Sequence, residues 1–584
     1  LYAAMVAEQI AEHGLEQVGM WDTKQLHDVI LDDELARWAR HGIGRAHVNA
    51  LALATILGSL HPNGSTGDAD PSEAIRACQT DGVIPDITCR SEHQWESLAA
   101  FAGCERRANA LPGVQPDVLG EAFVVGRLLG ELRLPPHEDH PGIEENAESV
   151  RADSAALLDA AWRTNPFRTV SWINLALRDM PGAAIRAGLL DRKPTTHLQQ
   201  IAFGILILNA TYRVGPNGIH AAEDRAAVES SLHHLDRLAS AEHAPMDLKV
   251  LLARSLFNAH ADTDRIGTAA QGWLARLERL AQASNNAPEV RLELAKALTN
   301  AVFSLAEAAR HGPYDHERAS EYIQHLKRLV RASNYAPKIT LELAKALTNA
   351  VLGLARAAEH GPYDDKLAQT SLDQLETLRQ QSNNAPEITL ELAEALTNAV
   401  LGLARAAQHG PYDHERASEY IQHLKRLAQA SNNAPEVRLA LAKVLTNAVS
   451  GLARAAQHGP YDDKLAQTSL DQLETLRQQS NNAPEITLRL AEALTNAVLG
   501  LANAAQRGAF DHERSKSHVD RLGELTDESG GDQAVRMHLA MTIGHCTRGI
   551  ANAAEVDSVA WDAPLIQDGC KLLIWAQPLI RGIP

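Results

Sequence analysis

The chain has 584 residues, a formal net charge of −18 and only 4% aromatic residues. This length predicts two or more domains, and a composition dominated by alanine and leucine favours stacked helices over sheet. The negative charge argues against general binding of nucleic acids or anionic membranes, because both need a cationic surface.

Cysteine usage and hydropathy bear on the compartment. The chain has five cysteines and no C-x-x-C pair, which predicts neither a disulfide framework nor a zinc site. No uncharged apolar run approaches the ~20 residues that a membrane-spanning helix requires. We therefore expect a cytoplasmic protein in a reducing environment, with no membrane partner.

Residues 1–44 are expected to be a helical segment that follows a missing upstream part of the protein. The opening LYAAMVAEQIAEHG has the pattern of a helix already in mid-course. Neither an initiator methionine nor a signal peptide precedes it. The chain is therefore interpreted as a fragment.

Residues 45–132 are expected to form a winged-helix-like module. Short helices are predicted at 45–59, 72–80 and 91–104. The following NALPGVQPDVLGEAFVVGRLL suggests a short strand pair, the wing, and then a helix. No stretch rich in lysine and arginine provides a recognition helix, so a transcription factor that binds DNA through this module is the least favoured hypothesis.

Two further segments lead to the rest of the chain. Residues 133–148 are rich in proline and acidic residues and are predicted to be an exposed linker. Residues 149–195 resume a helical pattern and are interpreted as a helical connector, with Trp162 and Trp172 in its core.

The strongest signal is internal repetition over residues 196–555. A proline recurs every 49 residues, at Pro288, Pro337, Pro386, Pro435 and Pro484. Weaker copies on both sides bring the array to about eight units, and residues 556–584 are expected to be a C-terminal cap.

Each unit is predicted to be a helical hairpin. In one central unit, helix A is expected to begin near Pro386, with Asn384 as its cap, and to end at Gly410. Tyr412 then packs the turn against the adjoining helix, and Asp413 caps helix B.

Both helices of this unit are amphipathic. Apolar residues recur at a spacing of three or four, at Ile388, Leu392, Leu396, Ala399, Leu403 and Ala407 in helix A and at Tyr420, Leu424 and Leu427 in helix B. One hairpin cannot bury both stripes, so stacked neighbours must complete the core. The predicted fold is all-α, a winged-helix-like helical module followed by an alpha solenoid of hairpins similar to tetratricopeptide repeats.

A second period of 98 residues overlies the first. Residues 362–410 and 460–508 differ at only three positions, Glu391/Arg489, Arg405/Asn503 and His409/Arg507. The array therefore grew by copying pairs of hairpins. The first two differences lie on the same face of helix A as Asn398, the asparagine of the repeated LTN triplet. This face therefore changes charge while the rest of the unit, apart from His409/Arg507, stays the same.

The N-terminal part resembles a known family. LYAAMVAEQIAEHG, WDTKQLHDVILDDELARWAR, NALALATILGSL and LPGVQPDVLGEAFVVGRLL follow one another as in the region after the nucleotide-binding core of bacterial STAND ATPases, which are related to NACHT and NLR proteins. AAWRTNPFRTVSWINLALRDMPG resembles the helical segment that comes next in that family. The resemblance covers roughly residues 1–185, and the repeats fit the C-terminal sensor of the family.

This resemblance implies a molecular switch. In the family, an NTPase core that binds ATP or ADP with Mg²⁺ opens when the repeats bind a trigger, and the protein then forms a homo-oligomer, often in antiphage defence. Asp117, in QPDVLG, matches the aspartate of the family's Met-His-Asp type switch motif, but Pro116 stands in the histidine's place. The resemblance therefore does not establish a nucleotide contact at this motif.

The chain carries no catalytic motif of its own. No G-x-x-x-x-G-K-[ST], G-x-S-x-G or H-E-x-x-H occurs, so we expect no cofactor, metal or catalytic residue here. If the family assignment holds, the NTPase core is expected in cis, upstream of Leu1.

The candidate binding residues lie in the middle and last turns of helix A. A helical wheel places Asn398 and Arg405 on the polar side, where stacked A helices are expected to line a concave surface. The predicted partner-binding residues are Asn258, Asn300, Asn349, Asn398, Asn447 and Asn496, with Arg356, Arg405 and Arg454. The alternative is a structural asparagine that bonds a neighbouring helix. A histidine at the end of helix A, such as His409, is expected to favour the helix dipole.

Two hypotheses for function therefore stand. The first is the regulatory and ligand-sensing portion of a STAND ATPase, whose repeats recognise a trigger, expected to be a protein. The second is a scaffold or adaptor without a nucleotide switch.

Overall fold

The computed structural model describes residues 6–7, 9–11, 23–60, 73–84, 111–114, 117–140, 144–213, 222–241, 243–261, 268–285, 287–507 and 510–556. These residues are almost entirely helical, as predicted. They divide into two compact units, Leu1–Leu294 and Ala295–Pro584. None of the helices in these ranges is both long enough and apolar enough to cross a membrane.

The first unit opens with four helices, α1 (Thr23–Arg40), α2 (Arg45–Leu57), α3 (Glu73–Thr80) and α4 (Asp117–Leu129). Of these, α2 and α3 correspond to the first two helices predicted for the winged-helix-like module, and α4 to the helix after its wing. The helix predicted at 91–104 lies outside the described residues.

The expected wing takes a different form. Strand β1 (Ser59–Leu60) pairs antiparallel with β2 (Leu111–Pro112), so that Ser59 lies opposite Pro112. The partner of the LPGV segment is thus the chain just after α2, about 50 residues upstream, and not a neighbouring strand in a local hairpin. Because each strand has only two residues, this pairing joins two chain segments and does not form a sheet with a face of its own.

The connector consists of α5 (Ala147–Thr164), α6 (Pro166–Asp179) and the short α7 (Pro181–Arg186). Trp162 and Trp172 are buried in it, as predicted. Asn146 caps α5 by accepting a hydrogen bond from the Ser149 amide.

The segment 133–148 is anchored and not simply an exposed linker. The guanidinium of Arg127 in α4 donates to both carboxylate oxygens of Glu145, at 2.8 and 3.0 Å, and both side chains are fully buried. Glu145 also accepts the Leu134 amide, and Arg127 donates to Asn49 of α2. The sequence pattern missed this anchor because a buried ion pair requires a partner on another element, which spacing along one segment does not reveal.

Repeat hairpins follow in both units. The first unit contains α8 (His197–Tyr212), α9 (Ala222–Ala239), α10 (Met246–Ala261) and α11 (Thr268–Ala283). Helix α12 (Pro288–Ala308) spans the division between the units. Of these helices, α8, α10 and α12 are A helices, and α9 and α11 are B helices.

The second unit is the regular part of the array. Its further A helices have 21 residues in four cases and 24 in the last, and they are α14 (Pro337–Ala357), α16 (Pro386–Ala406), α18 (Pro435–Ala455), α20 (Pro484–Ala504) and α22 (Gln533–Val556). Its B helices have 17 residues each, and they are α13 (His316–Ala332), α15 (Asp365–Gln381), α17 (His414–Ala430), α19 (Asp463–Gln479) and α21 (His512–Glu528). Successive A helices pack directly on one another. The predicted C-terminal cap beyond residue 556 lies outside the described residues.

Two local predictions for the hairpin are wrong. Asn384 does not cap α16: its φ of 60° closes the end of the preceding B helix, and Ala385 is the N-cap. Asparagine tolerates this left-handed conformation better than most residues. Helix α16 ends at Ala406, before the predicted stop at Gly410. The prediction for Asp413 is confirmed, since its carboxylate accepts the Arg416 amide at 3.0 Å.

An aromatic ring at each turn lies on a glycine of the next A helix. A Cβ added at Gly402 would overlap the ring of Tyr363, so only glycine admits this close packing. The other pairs are Tyr314 on Gly353, Tyr412 on Gly451, Tyr461 on Gly500 and Phe510 on Gly549. The predicted packing role of the tyrosines is therefore refined: each ring joins its own hairpin to the next one.

The ring, and not the phenolic group, makes this contact. The hydroxyls of the four tyrosines are buried, and none has a hydrogen-bond partner among the described residues. Phe510 occupies the same place in the last pair. Burial raises the pKa of each of these tyrosines, which therefore stay neutral.

We predict that Gly402→Ala destabilises the second unit by about 1–3 kcal/mol, because the added methyl group overlaps a buried ring. Chemical unfolding of the full chain, followed by circular dichroism, measures the loss. Gly410→Ala is the matched control, since a Cβ there meets nothing within 4 Å. Equal stability of the two variants would contradict the proposed register contact.

Candidate functional site

The predicted binding residues of the second unit form what we call the helix-A row: Asn300, Asn349, Asn398, Asn447 and Asn496, with Arg356, Arg405 and Arg454. The remaining predicted residue, Asn258, belongs to the first unit and is described by itself. All six asparagines are partly exposed, five of them near the middle of their helices and Asn258 in the last turn of its helix.

The asparagines divide into two groups by their hydrogen bonds. The amide of Asn258 donates to the Leu208 carbonyl at 3.3 Å, and that of Asn447 to the Thr397 carbonyl at 3.4 Å. Both acceptors belong to the preceding A helix, which is the structural role considered as the alternative. The remaining four have no hydrogen bond to any described residue, and they are Asn300, Asn349, Asn398 and Asn496.

The threonine before each of the five asparagines in the second unit has a structural role that sequence analysis did not detect. The hydroxyl of Thr348 lies 3.2 Å from the Ala344 carbonyl of its own helix and 3.1 Å from the Glu391 carbonyl of the next A helix. Thr299, Thr397, Thr446 and Thr495 make the same pair of contacts. In these five units the T-N pair therefore combines a residue that links adjacent helices with an asparagine that, in all but the Asn447 unit, has no hydrogen bond to a described residue.

The three arginines of the row differ in their counter-ions. Arg356 pairs with Glu307 at 2.5 Å, and the Nε of Arg405 pairs with Glu359 at 3.0 Å. Arg454 has no carboxylate at ion-pair distance and no side-chain hydrogen bond among the described residues.

Burial and mutual repulsion act on these guanidinium groups. Desolvation lowers the pKa of Arg405, Glu359 opposes this effect, and the neighbouring cations Arg454, Arg356 and Arg310 lower the pKa further. Desolvation likewise lowers the pKa of Arg454, and Glu359 opposes this effect as well. Glutamates thus neutralise Arg356 and Arg405, whereas Arg454 has no carboxylate at ion-pair distance among the described residues.

The histidines at the ends of the A helices bind the preceding hairpin. His360 lies 2.8 Å from the Arg310 carbonyl, His409 3.0 Å from that of Glu359, and His458 2.5 Å from that of Gln408. Arg507 replaces the histidine in the next unit and donates to the Gln457 carbonyl. These residues satisfy carbonyl groups beyond the end of the neighbouring A helix, so the contact is a capping one. No group of three or more metal-ligating side chains occurs in the described ranges.

The differences between the duplicated copies can now be located. Arg405 donates to the Ala355 carbonyl at 3.3 Å, and Asn503, its counterpart 98 residues later, donates to the Ala453 carbonyl at 2.9 Å. His409 and Arg507 are matched in the same way. At both positions the bond to the preceding hairpin is retained while the charge changes, so stacking does not dictate the charge.

Asp117 is the first residue of α4. Its side chain and Pro116 lie outside the described residues, so its role as a switch residue stays a prediction.

The B helices carry a polar cluster that sequence analysis did not detect. Asp365 of α15 accepts from the Arg416 guanidinium at 2.7 Å and from the Tyr420 hydroxyl of α17. In the equivalent cluster, Arg514 pairs with Asp463, and the buried His518 occupies the place of the tyrosine. There, Asp463 Oδ1 and His518 Nε2 are buried without a hydrogen-bond partner among the described residues.

The histidine at this place predicts that the stability of the native state depends on pH. Burial lowers the pKa of His518 to about 4, below the value of about 6.5 in an unfolded chain. The unfolded state therefore binds the proton first, and the stability of the native state falls as the pH drops from 6.5 towards 4, by up to about 3 kcal/mol. We expect His518→Tyr to remove this component, because a tyrosine hydroxyl can donate to Asp463 as Tyr420 does to Asp365. Thermal unfolding of both proteins at pH 7 and pH 4.5 measures the difference, and a variant with unchanged pH dependence would contradict the assignment.

No protein-family profile matches the chain, and no curated protein matches it. Among solved structures, one similar chain is the crystal structure of an engineered protein. It is 18% identical over 78% of this chain and 95% of that one, with a TM-score of 0.33. A likeness this weak carries no argument, so the assignment of a helical-repeat solenoid rests on how the helices of this chain pack.

Proposed function

We propose that this chain is a helical-repeat scaffold that binds a protein segment along the helix-A row. The observation that carries the proposal is the set of asparagine amides in this row that have no partner among the described residues, Asn300, Asn349, Asn398 and Asn496. A side-chain amide has two donors and an acceptor, and on these partly exposed residues no described residue occupies them. A ligand with matching donors and acceptors can therefore bind them.

The spacing of these amides suits a polypeptide. Adjacent packed helices lie about 8–10 Å apart, so successive asparagines repeat at about the length of three extended residues. The main chain of an extended segment offers both donors and acceptors at such intervals. The retained helix-to-helix bonds at Arg405 and Asn503 show how the charge of this face can vary without loss of the stack.

We further propose, on the resemblance of residues 1–185, that this scaffold is the regulatory and sensing part of a STAND-type signalling ATPase. In that case the winged-helix-like region relays binding to a nucleotide switch that holds ATP or ADP with Mg²⁺, and activation includes homo-oligomerisation. A role in antiphage defence fits the family. A scaffold or adaptor without such a switch uses the same binding face.

The binding face is tested with a library of random 12-residue peptides displayed on phage and selected on the purified full chain. We expect enriched peptides to bind the wild-type chain at least about tenfold more tightly than the Asn349→Ala, Asn398→Ala variant, a loss of about 1.4 kcal/mol. These substitutions remove no hydrogen bond among the described residues, so the fold is retained. The control carries Gln422→Ala and Gln429→Ala, two exposed positions of the B helix α17. Peptides that bind all three proteins equally would refute the proposed face.

The STAND assignment is tested by reading the gene upstream of the codon for Leu1. We expect a G-x-x-x-x-G-K-[ST] motif that follows a predicted strand and precedes a helix, within a few hundred codons. An upstream open reading frame without such a motif would leave the scaffold or adaptor as the function.

A further inference from the structure

We infer that the segment bound by the helix-A row is acidic and that one of its carboxylates binds Arg454. This inference rests on the proposed function and names the chemistry of the partner.

The first argument is the loss of an internal counter-ion along the row. Glu359 neutralises Arg405 of the following A helix. At the equivalent position one unit later the chain has Gln408, and the following arginine is Arg454. An uncharged amide cannot form the ion pair, and no other described carboxylate lies within ion-pair distance of Arg454.

The second argument is the cost of this arrangement. The side chain of Arg454 is partly buried between neighbouring hairpins, and its charge is retained. A partly buried charge without a carboxylate at ion-pair distance is unfavourable. Glu359, which is already paired with Arg405, favours the charged form of Arg454 from a longer distance but offsets the desolvation only in part. A carboxylate supplied by a ligand relieves this cost, and a bidentate pair with the guanidinium gives it a defined orientation.

The third argument is spacing. Arg405 and Arg454 occupy the same position in adjacent A helices, whose axes lie about 8–10 Å apart. A polyproline II segment has three residues per turn and rises about 3.1 Å per residue, so every third side chain points the same way at intervals of about 9 Å. Glutamates three residues apart on such a segment can therefore approach two adjacent arginines.

The probe is a fluorescein-labelled synthetic peptide of four Pro-Pro-Glu triplets, titrated with the full chain and followed by fluorescence anisotropy at low ionic strength. We expect the Pro-Pro-Gln analogue to bind at least about tenfold more weakly. Arg454→Gln is expected to weaken binding of the glutamate peptide by at least about tenfold, and Arg454→Lys by less, because lysine keeps the charge but not the planar fork. Circular dichroism and thermal unfolding confirm that each variant is folded.

A second variant tests the inference without removing the arginine. Gln408→Glu places a carboxylate where Glu359 stands in the preceding unit, and it should pair with Arg454 and compete with the peptide, again by at least about tenfold. The matched control is Gln457→Glu one unit later, where Asn503 takes the place of the arginine. This control should bind the glutamate peptide as the wild type does.

Three outcomes would overturn the inference. They are equal binding of the glutamate and glutamine peptides, unchanged binding by both Arg454→Gln and Gln408→Glu, and peptide-independent self-association of the chain that is lost in Arg454→Gln. Its failure is distinguishable from failure of the proposed function. Library peptides that need Asn349 and Asn398 but show no excess of aspartate or glutamate refute only the acidic partner.

Discussion

The contact of an aromatic ring with a glycine in the next A helix sets the register of the regular hairpins in the second unit. Tyr363 on Gly402 is one of five such pairs in the described residues, and the absence of a side chain on the glycine lets the two hairpins approach closely. Where the regular units begin, both members of the ring–glycine pair are replaced together. Arg265 stands at the sequence position of the aromatic residue, and Ser304 of α12 stands at that of the glycine.

This register determines which polar groups are used for stacking. Threonine hydroxyls, the histidines of the turns and two of the asparagines bond to a neighbouring hairpin, at separations of 43 to 50 residues. The histidines satisfy carbonyl groups beyond a helix end, whereas the threonines and asparagines reach carbonyl groups within a helix. The groups left over are partly exposed, and they include Asn349, Asn398 and Arg454. Only some residues of the helix-A row are therefore available to bind a ligand, although the sequence suggests a row of equivalent residues.

Duplication in pairs of hairpins lets the two copies diverge at few sites. Where Tyr420 donates to Asp365, the later copy has His518 beside Asp463 without that bond. Adjacent units differ in the same way, since Glu359 neutralises Arg405 whereas the next unit has Gln408 before Arg454. Each change leaves one charged or polar group without its former partner while the stack of helices is unaffected. We regard such sites as the positions at which nearly identical units come to differ in their chemical properties.

The sequence by itself determined the all-α class, the hairpin unit, its period of 49 residues and the two stripes that become the core, because these follow from local periodicity and from proline and aspartate at helix starts. It also indicated the face on which the copies differ. Only the tertiary structure decided which asparagines are free, which arginine lacks a counter-ion, and that Glu145 is buried against Arg127. Each of these depends on contacts between residues far apart in sequence, and no spacing within a single helix determines whether a neighbouring helix supplies a partner.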